Sequence, residues 1–419
     1  MTGFPSRAEI ESVQASKLAT LLGAILPGNA FYRQKLAGAG AIRSLEDFKR
    51  HVPFTRKPEL SEDQRVHPPF GTNLTYPLDR YSRFSQTSST TGKPLRWLDT
   101  FQSWSWMLDC WTRVFREAGV TAGDRVFCAF SFGPFLGFWV AFEAAARMDC
   151  LCVPGGGMPS AARIAVMIDL GVTVLCATPT YAIHLAEVAG LEGIDLGRSS
   201  VKTIVVAGEP GGSIPGTRRR IEEMWRGARV VDHHGMTETG PVTYGCRKRA
   251  GVLHVIEEEY IAETIDPATS LPVAPGSRGE LVLTNLGRLG SPLLRYRSGD
   301  IVRVAAGERC ECGTTEMALE GGIIGRTDDM VVVRGVNVYP SAVEDIVRAA
   351  GCAGEYRVEV SSVGSLAGFK ILVEGEEGLG HRIESAVRNA LSLRVAVEVV
   401  PAGSLPRFEM KARRWVRAG

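Results

Sequence analysis

A chain of 419 residues is longer than one ordinary hydrophobic core organises, so two or three domains are expected. Hydrophobic content of 45%, charged content of 22% and 47 glycines fit a loop-rich α/β enzyme and exclude a disordered or fibrous chain. The net charge of +2 gives no global pull toward nucleic acid or an anionic membrane.

Residues 1–80 read as helices and loops: Ile10 to Leu22 has helical apolar spacing, and Leu45 to Phe48 opens a short helix before a turn at Pro53. Arg7, Glu9 and Glu11 deny the N-terminus the apolar centre of a signal peptide, and no apolar run reaches membrane-spanning length. A cytoplasmic location is therefore the expectation. From about 100 the pattern alternates. Helices are predicted over 104–118, 136–147, 161–170, 181–189 and 217–225, between strands over 125–130, 150–153, 172–177, 203–207 and 229–232. That alternation implies right-handed βαβ units and a parallel sheet. The run Arg218-Arg219-Arg220 falls in a helical pattern beside Ile221, Met224 and Trp225, which marks a solvated helix face.

From 252 to 305 the helices vanish, and short strands at 281–284 and 301–304 between Pro/Gly turns suggest an antiparallel subdomain. Beyond Gly325, strands near 330–334, 356–361 and 369–373 alternate with helices over 341–349 and 382–390, a small α+β unit. The expected organisation is an N-terminal core over 1–325, with a helical lead-in (1–80), an α/β part (81–250) and a β-rich part (251–325), followed by a mobile lid over 326–419. The fold class is α/β: a large N-terminal domain with a parallel βαβ sheet plus a smaller antiparallel β subdomain, and a small α+β C-terminal domain. Of nine cysteines, Cys110, Cys128, Cys150, Cys152 and Cys176 sit in apolar surroundings as small hydrophobes, so no disulfide framework is expected.

The densest chemistry lies in Gln86-Thr87-Ser88-Ser89-Thr90-Thr91-Gly92-Lys93-Pro94, which sets five hydroxyls, a glycine and a lysine within nine residues. Such a loop suits phosphate: glycine admits the anion to the backbone, hydroxyls donate to it and lysine adds a point charge. It is not a Walker loop, since Thr87 stands where the first glycine belongs and Pro94 follows the lysine. A polar surface turn is the plain alternative.

Further signatures follow in a fixed order: Ala207-Gly208-Glu209-Pro210, Asp232-His233-His234-Gly235-Met236-Thr237-Glu238, Tyr296-Arg297-Ser298-Gly299-Asp300, Gly325-Arg326-Thr327-Asp328-Asp329-Met330, and Leu405-Pro406-Arg407-Phe408-Glu409-Met410-Lys411-Ala412. Together they resemble the adenylate-forming superfamily of acyl-CoA synthetases, adenylation domains and luciferases. Phe31-Tyr32-Arg33-Gln34-Lys35, Pro53-Phe54-Thr55-Arg56-Lys57 and Val336-Asn337-Val338-Tyr339-Pro340 look like its phenylacetate-CoA ligase branch. The resemblance runs over nearly the whole chain. It implies an AMP-forming ligase that activates an aromatic or arylacetic acid with ATP and magnesium and passes the acyl group to coenzyme A. A carrier-protein thiol or an amine is the alternative acceptor, and a homodimer is an open alternative to the monomer.

By that resemblance Ser88, Ser89, Thr90, Thr91, Gly92 and Lys93 hold the β- and γ-phosphates, although most relatives carry glycine where Ser89 stands. Thr237 is assigned to the α-phosphate and Glu238 to magnesium, a hard cation that takes carboxylate oxygen. His234, with His233 and Gly235 beside it, stands where relatives stack an aromatic on adenine. Gly208, Glu209 and Pro210 line the other side, Asp300 accepts the ribose hydroxyls and Arg326 belongs to the nucleotide site. Lys411 bridges carboxylate and α-phosphate, and Asp328 is the hinge of the lid. Taken singly these residues have plainer meanings: Thr237-x-x-Gly240 a cap or turn, Asp300 a turn aspartate, Lys411 a solvated tail lysine.

Cys246, His254, Cys310 and Cys312 form a Cys3His set whose soft ligands suit a structural zinc. Free thiols are the alternative. By the same resemblance Phe132, Phe135, Ala207 and Gly235 are candidate walls of the acid pocket, and the two phenylalanines favour a flat acid. Two readings from other classes remain: a nucleotide-gated switch, and a zinc-stabilised interaction module without catalysis.

Overall fold

The computed structural model describes residues 4–87, 93–333, 336–363, 366–408 and 412–417. The fold is mixed α/β, and the chain packs as two compact units of two stretches each: Met1–Gly157 with His233–Glu320, and Met158–Asp232 with Gly321–Gly419.

The first unit opens on helix Arg7–Gly28. A capping box starts it: the Glu9 amide donates to the Ser6 hydroxyl, and the Ser6 amide donates to the Glu9 carboxylate. Leu18, Leu21 and Ile25 of this helix share a core with Tyr32, Phe48, Ile261, Leu286 and Leu294. Each such side chain contributes about 1.5–3 kcal/mol by leaving water, which joins the helical lead-in to strands far along the chain. Helix Lys57–Val66 follows, and then an antiparallel hairpin of strands Tyr81–Gln86 and Arg96–Thr100.

Just past the last strand pair, the Thr87 amide donates to the Leu95 carbonyl at 2.9 Å and the Leu95 amide to the Thr87 hydroxyl at 3.0 Å. These two bonds carry the antiparallel pairing one step past the strand ends, to Thr87 and Leu95. A Walker loop instead joins a strand to a helix N-terminus. Helix Phe101–Glu117 is capped by the Thr100 hydroxyl. Strands Arg125–Cys128 and Leu151–Pro154 then run parallel, joined through helix Leu136–Arg147.

The remainder of this unit is antiparallel. Thr243–Gly245, Val252–Val255 and Ala318–Glu320 pair in one sheet, and Tyr260–Ile265, Arg278–Asn285 and Tyr296–Arg303 in another. Strand Arg278–Asn285 is longer than its apolar segment because Glu280, Thr284 and Asn285 are buried polar residues with no hydrophobic signature.

In the second unit, Val174–Ala177, Thr203–Val206 and Arg229–Asp232 lie parallel in that order, linked by helices Pro179–Leu191 and Pro215–Met224. Every residue of the first two strands is buried, so they read as short apolar runs. The later stretch forms a four-stranded sheet ordered Ala396–Val400, Leu366–Glu374, Tyr356–Val363, Trp415–Arg417, with an antiparallel central pair and parallel edges. Val343 and Val347 of helix Pro340–Ala349, and Ile383 and Val387 of helix Leu379–Leu391, belong to its core. Among the described residues, no helix is long and apolar enough to cross a membrane.

Candidate active site

Thr237 and Glu238 form the turn between the short paired strands Gly235–Met236 and Gly240–Pro241. Position 240 requires glycine, since its φ of +88° is left-handed backbone. The turn is fixed from beneath by Arg288, which is fully buried. Its guanidinium grips both oxygens of Asp99 at 2.7 Å and donates to the carbonyls of Thr237 at 2.7 Å and Glu238 at 2.9 Å. A planar fork with five donors suits this double duty. The carboxylate of Glu238 is buried yet carries a cation: the Lys57 ammonium lies 3.1 Å from its Oε1. A buried carboxylate oxygen beside a cation is the kind of donor that magnesium takes.

His234 and Asp300 converge in the same unit, with His234 Nε2 3.3 Å from Asp300 Oδ2. Backbone bonds fix both: the His234 amide donates to the Thr243 hydroxyl at 2.9 Å, and the Asp300 amide to the Ser298 hydroxyl at 3.0 Å. His233 is buried. Its ring packs 4.3 Å from Trp111, and its Nδ1 lies 2.6 Å from the Thr243 carbonyl. Burial pushes its pKa down to about 3, so the ring is neutral and Nδ1–H donates. Gly235 leaves room for this arrangement, since a Cβ there would lie 2.9 Å from the Gly240 carbonyl.

In the second unit, Ala207, Gly208, Glu209 and Pro210 follow strand Thr203–Val206 directly. Gly208 has φ +94°, which a side chain would strain. Glu209 is a brace. One carboxylate oxygen accepts from the Thr180 amide at the start of helix Pro179–Leu191, and the other from the Ala412 amide, both at 2.9 Å. An anion at a helix N-terminus is favoured by the dipole. Ser88–Gly92 and Lys411 lie outside the described residues, whereas Lys93 is exposed.

A second brace holds the chain just ahead of Lys411. Glu374 takes Arg407 in a bidentate pair at 2.9 and 2.7 Å and accepts from the Leu405 amide at 2.8 Å. Burial alone would raise the Glu374 pKa, but Arg407 and the backbone donors bring it down to about 2. A depressed carboxylate stabilises the fold above its unfolded value near 4.5, and that contribution is lost as pH falls toward about 2. Unfolding followed between pH 5 and about pH 3 is therefore expected to show an acid limb that Glu374→Gln flattens. Arg326 pairs with Asp328 at 2.9 Å, and Asp328 is exposed.

The Cys3His set comes together as expected. The ligating atoms of Cys246, His254, Cys310 and Cys312 all lie within 4.8 Å of one another. Cys246 and Cys310 sulfurs are 3.7 Å apart, and Cys312 sulfur is 3.5 Å from His254 Nε2. Ordinary Zn–S and Zn–N bonds of about 2.3 and 2.05 Å give tetrahedral edges of about 3.8 and 3.6 Å, which these two separations match. Burial lowers the His254 pKa to about 4, leaving the neutral imidazole that ligates metal.

Of the candidate acid-pocket residues, Phe132 and Phe135 lie in the first unit and Ala207 in the second. Phe132 has φ +49°, a strained value for an aromatic residue, and stands edge-on to Trp139 and Phe142 at 5.1 and 5.4 Å. Sequence patterns missed Arg288, Asp99 and Glu374. No spacing marks a buried ion pair formed across almost two hundred residues.

The AMP-binding enzyme family model matches residues 84–287, and that of the AMP-binding enzyme C-terminal domain matches 335–417. A phenylacetate-coenzyme A ligase of Thermus thermophilus is 30% identical over 96% of this chain and 95% of its own length. The Escherichia coli phenylacetate-coenzyme A ligase is 28% identical over 97% and 94%. Among solved structures, 2-hydroxyisobutyryl-CoA ligase in its postadenylation state matches with TM-score 0.92 at 30% identity, covering 99% of this chain and 91% of that one. The same ligase in its thioesterification state, with 2-HIB-AMP and CoA, matches with TM-score 0.75 at 31% identity over the same shares. With both family models matched in order and such relatives along its length, the chain belongs to the AMP-binding enzyme family, among the adenylate-forming acyl-CoA ligases.

Proposed function

We propose that this protein is an AMP-forming acid–CoA ligase acting on an aromatic or arylacetic acid. A carboxylate oxygen attacks the α-phosphorus of ATP, and the bond to pyrophosphate breaks. The thiol of coenzyme A then attacks the acyl carbon, and AMP leaves. Each step builds negative charge that fixed donors and cations must meet. In this reading the segment Ser88–Lys93 holds pyrophosphate and Thr237 donates to the α-phosphate. Asp300 takes the ribose hydroxyls beside His234, and Lys411 bridges the two reacting oxygens. Magnesium on Glu238 supplies charge neutralisation when bound.

The observation that carries the reading is the Thr237–Glu238 turn, pinned by buried Arg288 in the same unit as the His234–Asp300 pair. Its support is the run of CoA ligases similar along nearly the whole chain. The test is acid-dependent pyrophosphate exchange and AMP release over benzoic, arylacetic and short 2-hydroxy acids, with and without CoA. Exchange and CoA-dependent AMP release are expected with an aryl or arylacetic acid. No exchange with any acid would sink the ligase, γ-phosphate release without acid would favour a nucleotide switch, and exchange without CoA-dependent AMP release would point to a carrier thiol or an amine.

The lid over 326–419, with its hinge at Asp328, is part of the same proposal. The fall in TM-score between the two states of 2-hydroxyisobutyryl-CoA ligase supports alternation between half-reactions.

We also assign a structural zinc to Cys246, His254, Cys310 and Cys312, since four protein ligands leave no open position for catalysis. Purified protein is expected to carry about one zinc per chain and to lose thermal stability when chelated. Less than about a tenth of an equivalent rejects the site.

A further inference from the structure

The Lys57–Glu238 pair is built from two fixed ends. Lys57 begins helix Lys57–Val66, and no side chain caps that helix. A cation in the first helical turn opposes the helix dipole, so the helix itself gives no reason for lysine there. Two residues earlier, Thr55 is fastened to the start of strand Tyr296–Arg303. Its amide donates to the Arg295 carbonyl at 3.0 Å, its carbonyl accepts from the Arg297 amide at 2.9 Å, and its hydroxyl donates to the Leu294 carbonyl at 2.8 Å. Opposite, the backbone carbonyl of Glu238 is held by Arg288 at 2.9 Å, which leaves the buried carboxylate facing the ammonium.

We propose that Lys57 is a tethered counter-ion for Glu238, occupying the cation position of the carboxylate in the nucleotide-free enzyme and making divalent-metal binding depend on nucleotide. The inference rests on Glu238 being the magnesium ligand. A buried carboxylate without a cation is strongly disfavoured, so a permanent charge is needed when metal is absent. An ammonium on a flexible four-carbon stem meets that need and yields, because it is a hydrated point charge without a bidentate grip. The Lys57 side chain is 49% exposed, so its head has water to move into, whereas that of Glu238 is 5% exposed and stays. Tethering raises the local concentration of the competing cation far above that of bare metal in solution. Metal arriving with ATP brings phosphate charge of its own and displaces the lysine.

The experiment measures Mn2+ binding through the spin-resonance signal of free Mn2+, with intact protein and with or without a non-hydrolysable ATP analogue. Lys57→Met is expected to bind Mn2+ about tenfold more tightly than wild type without nucleotide, and about equally with it. Lys57→Gln, which keeps a polar end without charge, should match it, and adding Glu238→Gln should abolish the gain. Equal nucleotide-free affinity of wild type and both Lys57 variants, with Glu238→Gln still weakening metal, would overturn the counter-ion role while leaving Glu238 its ligand. A weakened analogue with unchanged Mn2+ would overturn it too, by making Lys57 a phosphate ligand. If Glu238→Gln alters Mn2+ binding in no background, the counter-ion and the Glu238 assignment fall together. Acid-dependent pyrophosphate exchange by wild type reports separately on whether the protein is a ligase.

Discussion

Arg288→Met is expected to destabilise the protein by about 3–5 kcal/mol and, in the fraction still folded, to slow adenylation about a hundredfold. Two separable losses are involved. Removing the guanidinium strands the Asp99 carboxylate, which is buried and otherwise gripped through both oxygens. It also strips the donor from the Thr237 and Glu238 carbonyls, so the turn that presents their side chains is free to shift. A displacement of about 1 Å in a positioning element is enough for a hundredfold effect. The double variant Arg288→Met, Asp99→Leu separates them, because replacing both partners of a buried pair with apolar groups is often neutral for stability. Denaturant unfolding should show most of the stability regained. Pyrophosphate exchange should remain slow. Recovery of both together would mean that Arg288 only supports the fold and does not position the turn.

The same residue shows why some of the site is legible in sequence and some is not. Strands Val174–Ala177 and Thr203–Val206 announce themselves because burial on both faces leaves a run of apolar residues. Helices Leu136–Arg147 and Leu379–Leu391 follow periodic apolar positions. Thr237, Glu238 and Asp300 stand out as candidates because they belong to short local motifs. Arg288 and Asp99 are 189 residues apart and sit in segments without a motif, so only the folded chain brings them together. The edge strands Ala396–Val400 and Trp415–Arg417 escaped for another reason: they are short and only partly buried, so no alternation accumulates. The cysteines were read from chemistry and not from spacing. Their convergence follows from the register that places His254 opposite Tyr244 and Ala318 on the two neighbouring strands.

Lys411→Ala is expected to slow adenylation about a hundred- to a thousandfold, while thioester formation from supplied acyl-adenylate and CoA stays near the wild-type rate. The charge that Lys411 is proposed to stabilise develops only while carboxylate and α-phosphate oxygens approach, and it is gone once the adenylate exists. On either side of it the chain is held: Leu405 and Arg407 by Glu374, and Ala412 by Glu209. If these braces set the lysine in place, Glu209→Ala should reproduce the same asymmetry more weakly, with adenylation falling about tenfold and the second step spared. Single-turnover measurement of each half-reaction reads both variants. Equal loss in both steps for Lys411→Ala would remove the lysine from its proposed role. Asymmetry for Lys411→Ala without any for Glu209→Ala would keep the lysine and reject the brace. Because Glu209 also caps helix Pro179–Leu191, its variant should be melted alongside, so that a fall in adenylation is compared at equal folded fraction.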